Sequence, residues 1–231
     1  QIEGAWDEDG KGKSIWDVFS HTPGKTYKDA NGDIACDHYH RWHEDLDLAK
    51  ALNLNAYRFS IAWTRILPEG SGAVNQKGID FYSRLIDRLL ELGIEPFPTL
   101  FHYDLPLALN EKGGWPARDT ALRFAEYAGV VGKTYGDRIN YWITHNEPFV
   151  TAMLGYYIGI HAPGIQDLNA AIQSTHNLLL SHGLATRMLR KTCKAGAKIG
   201  AAINLTHVMP ASDSSEDIRA AQKYDAIANR M

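Results

Sequence analysis

Apolar positions along this chain alternate between two rhythms, one helical and one extended. Over residues 40–52 (HRWHEDLDLAKAL), Trp42, Leu46, Ala49 and Leu52 recur at helical spacing. The run NAYRFSIAW that follows is rich in aromatic and β-branched residues and predicts a buried strand. The rhythm then turns helical again. In NQKGIDFYSRLIDRLLELG an apolar stripe of Ile79, Tyr82, Ile86 and Leu89 ends at Gly93, a C-terminal stop. The same alternation continues to the end. IEPFPTLFHYD reads as a strand, 117–135 as a helix, INYWITHNEP as a strand, 168–192 as a long helix, KIGAAINLT as a strand and 214–231 as a helix with Ile218, Ala221, Ile227 and Ala228 on one side. Residues 1–39 predict mostly loop, punctuated by Gly4, Gly10, Gly12, Gly24 and Gly32, with one short amphipathic piece over Ile15–Phe19.

Strands separated by helices pair in parallel through right-handed crossovers. These strands are apolar almost throughout, the pattern expected when both faces of a sheet are covered. An open doubly wound sheet and a closed (β/α) barrel both satisfy that pattern. No GxGxxG turn follows any strand, which counts against a dinucleotide-binding sheet. The strands instead end in polar residues: Arg58 and Ser60, then His102 and Asp104, then Asn146 and Glu147, then Asn204. From Arg58 to His102 and from His102 to Asn146 the spacing is 44 residues each time, one βα unit with its loop. Polar clusters at one end of successive parallel strands form a ring around a pocket, as at the C-terminal mouth of a TIM barrel. The expected fold class is therefore α/β, a (β/α)8 barrel.

Bulk properties narrow the function classes. The chain has 231 residues, enough for one sizeable core. Its net charge of −3 offers no electrostatic footprint for nucleic acid or an anionic membrane. No apolar run approaches the roughly 20 residues that span a bilayer, and no signal peptide is visible in the polar opening QIEGAWDEDGKGK. Cys36 and Cys193 stand alone without CxxC spacing, which favours reduced thiols and a cytoplasmic setting.

Glu147 is the strongest candidate for chemistry. A carboxylic acid at a strand's C-terminal mouth, beside aromatic rings, has the setting in which desolvation favours a bound proton for delivery to a leaving oxygen. The plainer reading is that Asn146 and Glu147 cap a helix starting at Pro148. The Asn146 amide can orient a sugar hydroxyl. His102 can bind a hydroxyl, ligate a metal or satisfy a core hydrogen bond. Arg58, inside an apolar strand, calls for a carboxylate partner from elsewhere in the fold. Trp63 and Trp115 offer faces for a pyranose, although core packing accounts for them equally well. His38, His40 and His43 beside Asp37 straddle a loop–helix junction without zinc-site spacing, so no metal site is expected.

The motifs QIEGAW, YRFSIAWTRI, FHYDLP and WITHNEP, in this order along essentially the whole chain, resemble glycoside hydrolase family 1, the group of retaining β-glucosidases and β-galactosidases. The resemblance implies that Glu147 is the general acid/base, that Gln1 and His102 hold sugar hydroxyls, and that Asn146 holds the 2-hydroxyl. It implies that Arg58 pairs with the catalytic nucleophile and that Trp115 and Asn204 line the pocket. The implied substrate is a β-glucoside or cello-oligosaccharide, and no cofactor is needed. Tyr103 stands where the family usually has Trp, and His145 where Phe or Leu is commoner. Glu147 is kept where thioglucosidase relatives carry Gln, which favours ordinary O-glycosides.

The family's second glutamate, in a TENG-type motif on the seventh strand, has no counterpart here. Residues 1–231 are thus expected to be a partial barrel catalytic domain, about the first five βα units without the first strand and the C-terminal strands. Its open edges are expected to associate with the complementary half or with another copy. A 6-phospho-β-glycosidase of the same family and a non-catalytic carbohydrate-binding half barrel are the alternatives. The purified 231-residue polypeptide is expected to hydrolyse no aryl β-glucoside by itself, which a chromogenic assay checks.

Overall fold

Helix-forming and strand-forming segments take up the alternation read from the sequence, in a computed structural model that describes residues 2–229. In chain order the elements are α1 (Ile15–Ser20), α2 (His38–Ala51), β1 (Ala56–Ser60), α3 (Trp63–Ile66), α4 (Gln76–Glu91), β2 (Glu95–Phe101), α5 (Leu107–Asn110), α6 (Arg118–Tyr135), β3 (Tyr141–Asn146), α7 (Pro148–Ala152), α8 (Leu168–Thr192), β4 (Lys198–Ala202) and α9 (Ser215–Asn229). A π-helical turn, Met153–Tyr157, follows α7. Local chemistry sets several boundaries. At α1 the Ser14 hydroxyl accepts from the Asp17 N–H at 3.2 Å while the Asp17 carboxylate accepts from the Ser14 N–H at 2.6 Å, a reciprocal capping box. Helix α2 stops at Ala51, so Leu52, expected on its apolar face, is 72% exposed instead.

The strands lie side by side in the order β1-β2-β3-β4, all parallel. Arg58 pairs with Phe97 and Thr99 with Ile143. Because strand side chains alternate, Arg58, Phe97, Thr99, Tyr141 and Ile143 share one face of the sheet. The other face packs on the helices: Phe59, Leu100 and Trp142 are buried there with Leu85, Leu89 and Val131. Only this helix-covered face is fully closed among the described residues. Arg58 is exposed and Phe97, Tyr141 and Ile143 are half-buried, so the expected burial of both faces is corrected.

Each apolar run is longer than the strand it yields. The ladder of β2 ends at Phe101 and that of β3 at Asn146, and the polar residues beyond them peel off into turns. Between β3 and β4 the register slips, with Ile143 opposite Gly200 but Asn146 opposite Ala202. One extra residue in β3 is thus accommodated just before Asn146, a bulge that re-aims the end of the strand.

Two buried polar arrangements fix the surroundings of the strand ends. Arg65, fully buried, donates from Nε to Glu3 at 3.1 Å, and Tyr82 Oη donates to the same carboxylate at 2.5 Å. Arg65 also donates to the Ala5 carbonyl at 3.2 Å and lies 4.0 Å over the Tyr39 ring, tying the Glu3–Ala5 segment to the exit of β1. A buried pair of this kind is costly to break from one side, because the remaining charge is stranded. His145, also fully buried, lies among the rings of Phe101, Trp115 and Phe124, and its Nε2 is 2.8 Å from Ser181 Oγ on α8.

Two stability predictions follow from these contacts. A Cβ at Gly78, inside α4, would sit 2.0 Å from the Arg65 carbonyl oxygen. Gly78→Ala should therefore destabilise the protein by about 1–3 kcal/mol in urea titration, although the same change in an open helix stabilises by about 1 kcal/mol. Burial pushes the His145 imidazole down to about 3. Below the ordinary histidine value near 6.5 the unfolded chain binds a proton that the native state refuses. Stability is then fully present above that value and falls with pH at about 1.4 kcal/mol per unit for this one group. His145→Phe should flatten the stability profile between pH 6 and 4, measured by denaturation at each pH.

Candidate active site

Two strand ends build the centre of the site, and both turn through left-handed backbone. Tyr103, two residues past β2, has φ 78°, and Glu147, directly after β3, has φ 43° and ψ 68°. Such conformations cost a non-glycine residue on the order of 1–3 kcal/mol, and they gather at functional positions. The Glu147 N–H donates to the Ala202 carbonyl of β4 at 2.8 Å, which holds the corner against its neighbour. Pro148 then opens α7. The Glu147 side chain makes no cap to that helix, so the capping role weighed from the sequence is not the one it takes.

The Glu147 carboxylate is half-buried and accepts a hydrogen bond on Oε2 from the Tyr103 hydroxyl. Asn146, buried at the end of β3, donates from Nδ2 to Tyr103 Oη at 2.8 Å. Its Oδ1 accepts from Arg58 Nη2 at 2.6 Å, and Arg58 Nε donates to Thr99 Oγ1 at 3.1 Å. Burial, together with donation to the Glu147 carboxylate, pushes the Tyr103 phenol well above its ordinary value. The group therefore stays a neutral donor across the physiological range.

His102 stands beside Tyr103 with ring centroids 5.2 Å apart, and its backbone N–H donates to the Asp104 carboxylate at 3.3 Å. Burial, helped by the positive charge of Arg58, pushes its imidazole down to about 3, so the ring is neutral near pH 7 and offers one donor and one acceptor. His102, Tyr103 and Asp104 also form one wall of a cavity of about 630 Å³, whose other walls include Glu3, Trp6 and Trp16. That cavity borders the tyrosine side of the cluster. Glu147 and Asn146 are outside its lining.

The sequence-derived candidates divide accordingly. Glu147, Asn146 and Arg58 are joined through hydrogen bonds, and His102 is adjacent through Tyr103. Arg58 is exposed rather than buried, and its guanidinium donates to Asn146 and Thr99. Asn204 lies two residues past β4, half-buried, with its Oδ1 enclosed and unpartnered. Gln1 lies outside the described residues. Trp115 is corrected: it is fully buried, edge-on to Phe101 at 5.0 Å and to His145 at 5.5 Å, and presents no face to a ligand. Its backbone is held too, donating to Tyr156 Oη at 3.1 Å and accepting from Asn177 Nδ2 at 2.9 Å. Trp63 is equally buried, stacked on Tyr127 at 5.2 Å. The three clustered histidines go separate ways. His38 pairs with Asp45 at 2.5 Å, His40 reaches Asp37 at 2.6 Å and Glu8 at 3.0 Å, and His43 stacks on Trp42.

Tyr103, singled out in the sequence only as standing where the family usually has Trp, is part of this cluster. The signal was present as the unusual ring in FHYDLP. Its hydroxyl reaches Glu147 only because the backbone there takes a positive φ, which the sequence does not announce.

Known proteins give this geometry its context. The model of glycosyl hydrolase family 1 matches residues 1–231. Beta-glucosidase A of Acetivibrio thermocellus is 54% identical over 230 residues, covering 100% of this chain and 51% of that protein. Beta-glucosidase A of Thermotoga maritima is 54% identical over 220 residues, covering 95% of this chain and 49% of that protein. A solved structure of the family 1 β-glucosidase from Thermotoga maritima superposes with a TM-score of 0.96 at 51% identity, over 99% of this chain and 51% of that one. The same enzyme has been solved in complex with deoxynojirimycin and with glucoimidazole. The chain spans about half the length of the curated relatives it matches. Matched by the family model from end to end, and carrying a four-stranded parallel sheet that superposes on the first part of the family's barrel, the chain belongs to glycosyl hydrolase family 1.

Proposed function

We propose that the protein containing this chain is a retaining β-glucosidase in which Glu147 serves as the general acid/base. The observation that carries this reading is the Glu147 carboxylate at the C-terminal end of β3, hydrogen-bonded by Tyr103 and linked through Asn146 to Arg58. Similarity to β-glucosidases of which this chain spans about half, and the sugar-mimic complexes of the Thermotoga enzyme, support a glucoside as substrate.

In this reading two carboxyl groups stand about 5–5.5 Å apart, one attacking the anomeric carbon while Glu147 protonates the departing oxygen. The attacking carboxylate belongs to the portion of the barrel that these residues do not include, and Arg58 is its partner in this reading. The covalent glycosyl intermediate is then cleaved by water, from which Glu147 takes the proton. Asn146 and neutral His102 hold sugar hydroxyls, as donor and acceptor groups of fixed orientation. The outer edges of β1 and β4, unpaired among the described residues, join the remaining strands of the barrel.

The test uses the full-length protein. Glu147→Gln should lower kcat/KM on an alkyl β-glucoside by about 10²–10⁴-fold, and wild-type hydrolysis followed by NMR should release the β-anomer first. Release of the α-anomer, or an unchanged rate in the Gln variant, would overturn the assignment. Activity on plain against 6-phosphorylated aryl glucosides measures the substrate class, and plain glucosides are expected to be preferred.

A further inference from the structure

We propose that Tyr103 is a positioning residue for Glu147, the last donor in a one-way hydrogen-bond relay that runs from the Arg58 guanidinium through Asn146 to the Glu147 carboxyl. This rests on the reading of Glu147 as acid/base and adds to it a residue that acts through that group.

The direction of the relay is fixed by chemistry. A guanidinium has donors and no acceptor. The Asn146 atom 2.6 Å from Arg58 Nη2 must therefore be the amide oxygen, which turns the amide nitrogen toward Tyr103, 2.8 Å away. The phenol oxygen accepts that bond, so its single proton is left for Glu147 Oε2, and that is the bond found. Three links thus point the same way, each polarising the next. They join β1, β3 and the turn after β2, so the relay exists only in the folded sheet.

The charged and titratable groups facing this relay come from few elements. Arg58 comes from β1. His102 stands beside Tyr103 in its own turn, and His161, from the segment after the π-turn, lies with its ring 6.2 Å from that of Tyr103. Burial lowers both imidazoles, so both are neutral near pH 7. From β4 it is the Ala202 carbonyl that meets the Glu147 backbone. The positive end of the relay is therefore Arg58.

The relay acts on the proton in each half of the reaction. With Oε2 engaged as an acceptor, the proton of the acid form sits on Oε1. In the first step that proton passes to the glycosidic oxygen as the C–O bond breaks, the aglycone leaves as a neutral alcohol, and the new carboxylate is met by a donor already in place. In the second step Oε1 takes a proton from water while Tyr103 keeps the side chain aimed. Tyr103 thus holds the carboxyl in one orientation through both steps.

The experiment is the pH dependence of kcat/KM in the full-length protein, with two aryl β-glucosides. With a poor leaving group such as phenol, Tyr103→Phe should move the alkaline limb upward by about one pH unit and lower kcat/KM near pH 7 by about tenfold. With 2,4-dinitrophenol, which departs unprotonated, the rate should change by less than about threefold, because no proton need be delivered. Replacing Tyr103 by 3-fluorotyrosine, a stronger donor of nearly the same shape, should move the limb downward, and this keeps the test open should the Phe variant not fold. An unmoved limb in these variants, or equal losses with both leaving groups, would reduce Tyr103 to a packing role and overturn the relay. Wild-type protein inactive on every glucoside would instead overturn the acid/base reading, and the relay with it.

Discussion

The parallel register that sets Arg58 opposite Phe97 and Thr99 opposite Ile143 is the constraint on which the polar cluster depends. It places the guanidinium of β1 within reach of Thr99 on β2 and of Asn146 at the end of β3. A slip of one residue in any of these strands would turn its polar group to the opposite face, since strand side chains alternate. The helices behind the sheet hold that register by burying its other face. Phe59, Leu100 and Trp142 pack into the same layer as Leu85, Leu89 and Val131, and no shift of a strand is possible there without opening voids in a close-packed core.

On that frame the site is made where the ladder stops. Strand backbone satisfies its own hydrogen bonds and leaves little freedom for its side chains. Two turns with positive φ break the pattern and bring the hydroxyl of Tyr103 to the carboxyl of Glu147 across two strand ends. The cost of those conformations is met by the surrounding contacts, among them the bond from the Glu147 N–H to Ala202. The bulge before Asn146 belongs to the same device, because it lets the amide meet both Arg58 and Tyr103.

The buried polar groups divide by purpose. Arg65, Glu3 and Tyr82 form a buried polar group that fastens the first residues to the sheet. His145 is kept neutral among aromatic rings and serves the core, although it lies next in sequence to the cluster at Asn146 and Glu147. Proximity in sequence thus does not assign a role. Direction does: His145 points to Ser181 on α8, whereas Asn146 points to Tyr103 and Arg58. No helix among the described residues is long and apolar enough to cross a membrane.

The sequence by itself determined the order and type of the main elements, the parallel sheet, and the family, because period, strand-like composition and the motifs YRFSIAWTRI, FHYDLP and WITHNEP are local properties. It marked Arg58, His102, Asn146 and Glu147 for the same reason: each is a polar residue within or at the end of an apolar run. What only the tertiary structure decided was direction and company. Trp115 follows two glycines and reads as a loop ring, yet Phe101, Phe124 and His145 enclose it. Arg58 reads as buried in an apolar strand, yet it is exposed on the sheet's open face. Tyr103 reads only as a ring where the family usually has Trp, yet its hydroxyl joins Asn146 to Glu147. Such contacts join residues 43 and 44 positions apart through turns whose left-handed backbone no local pattern encodes, and so they exist only once the strands have paired.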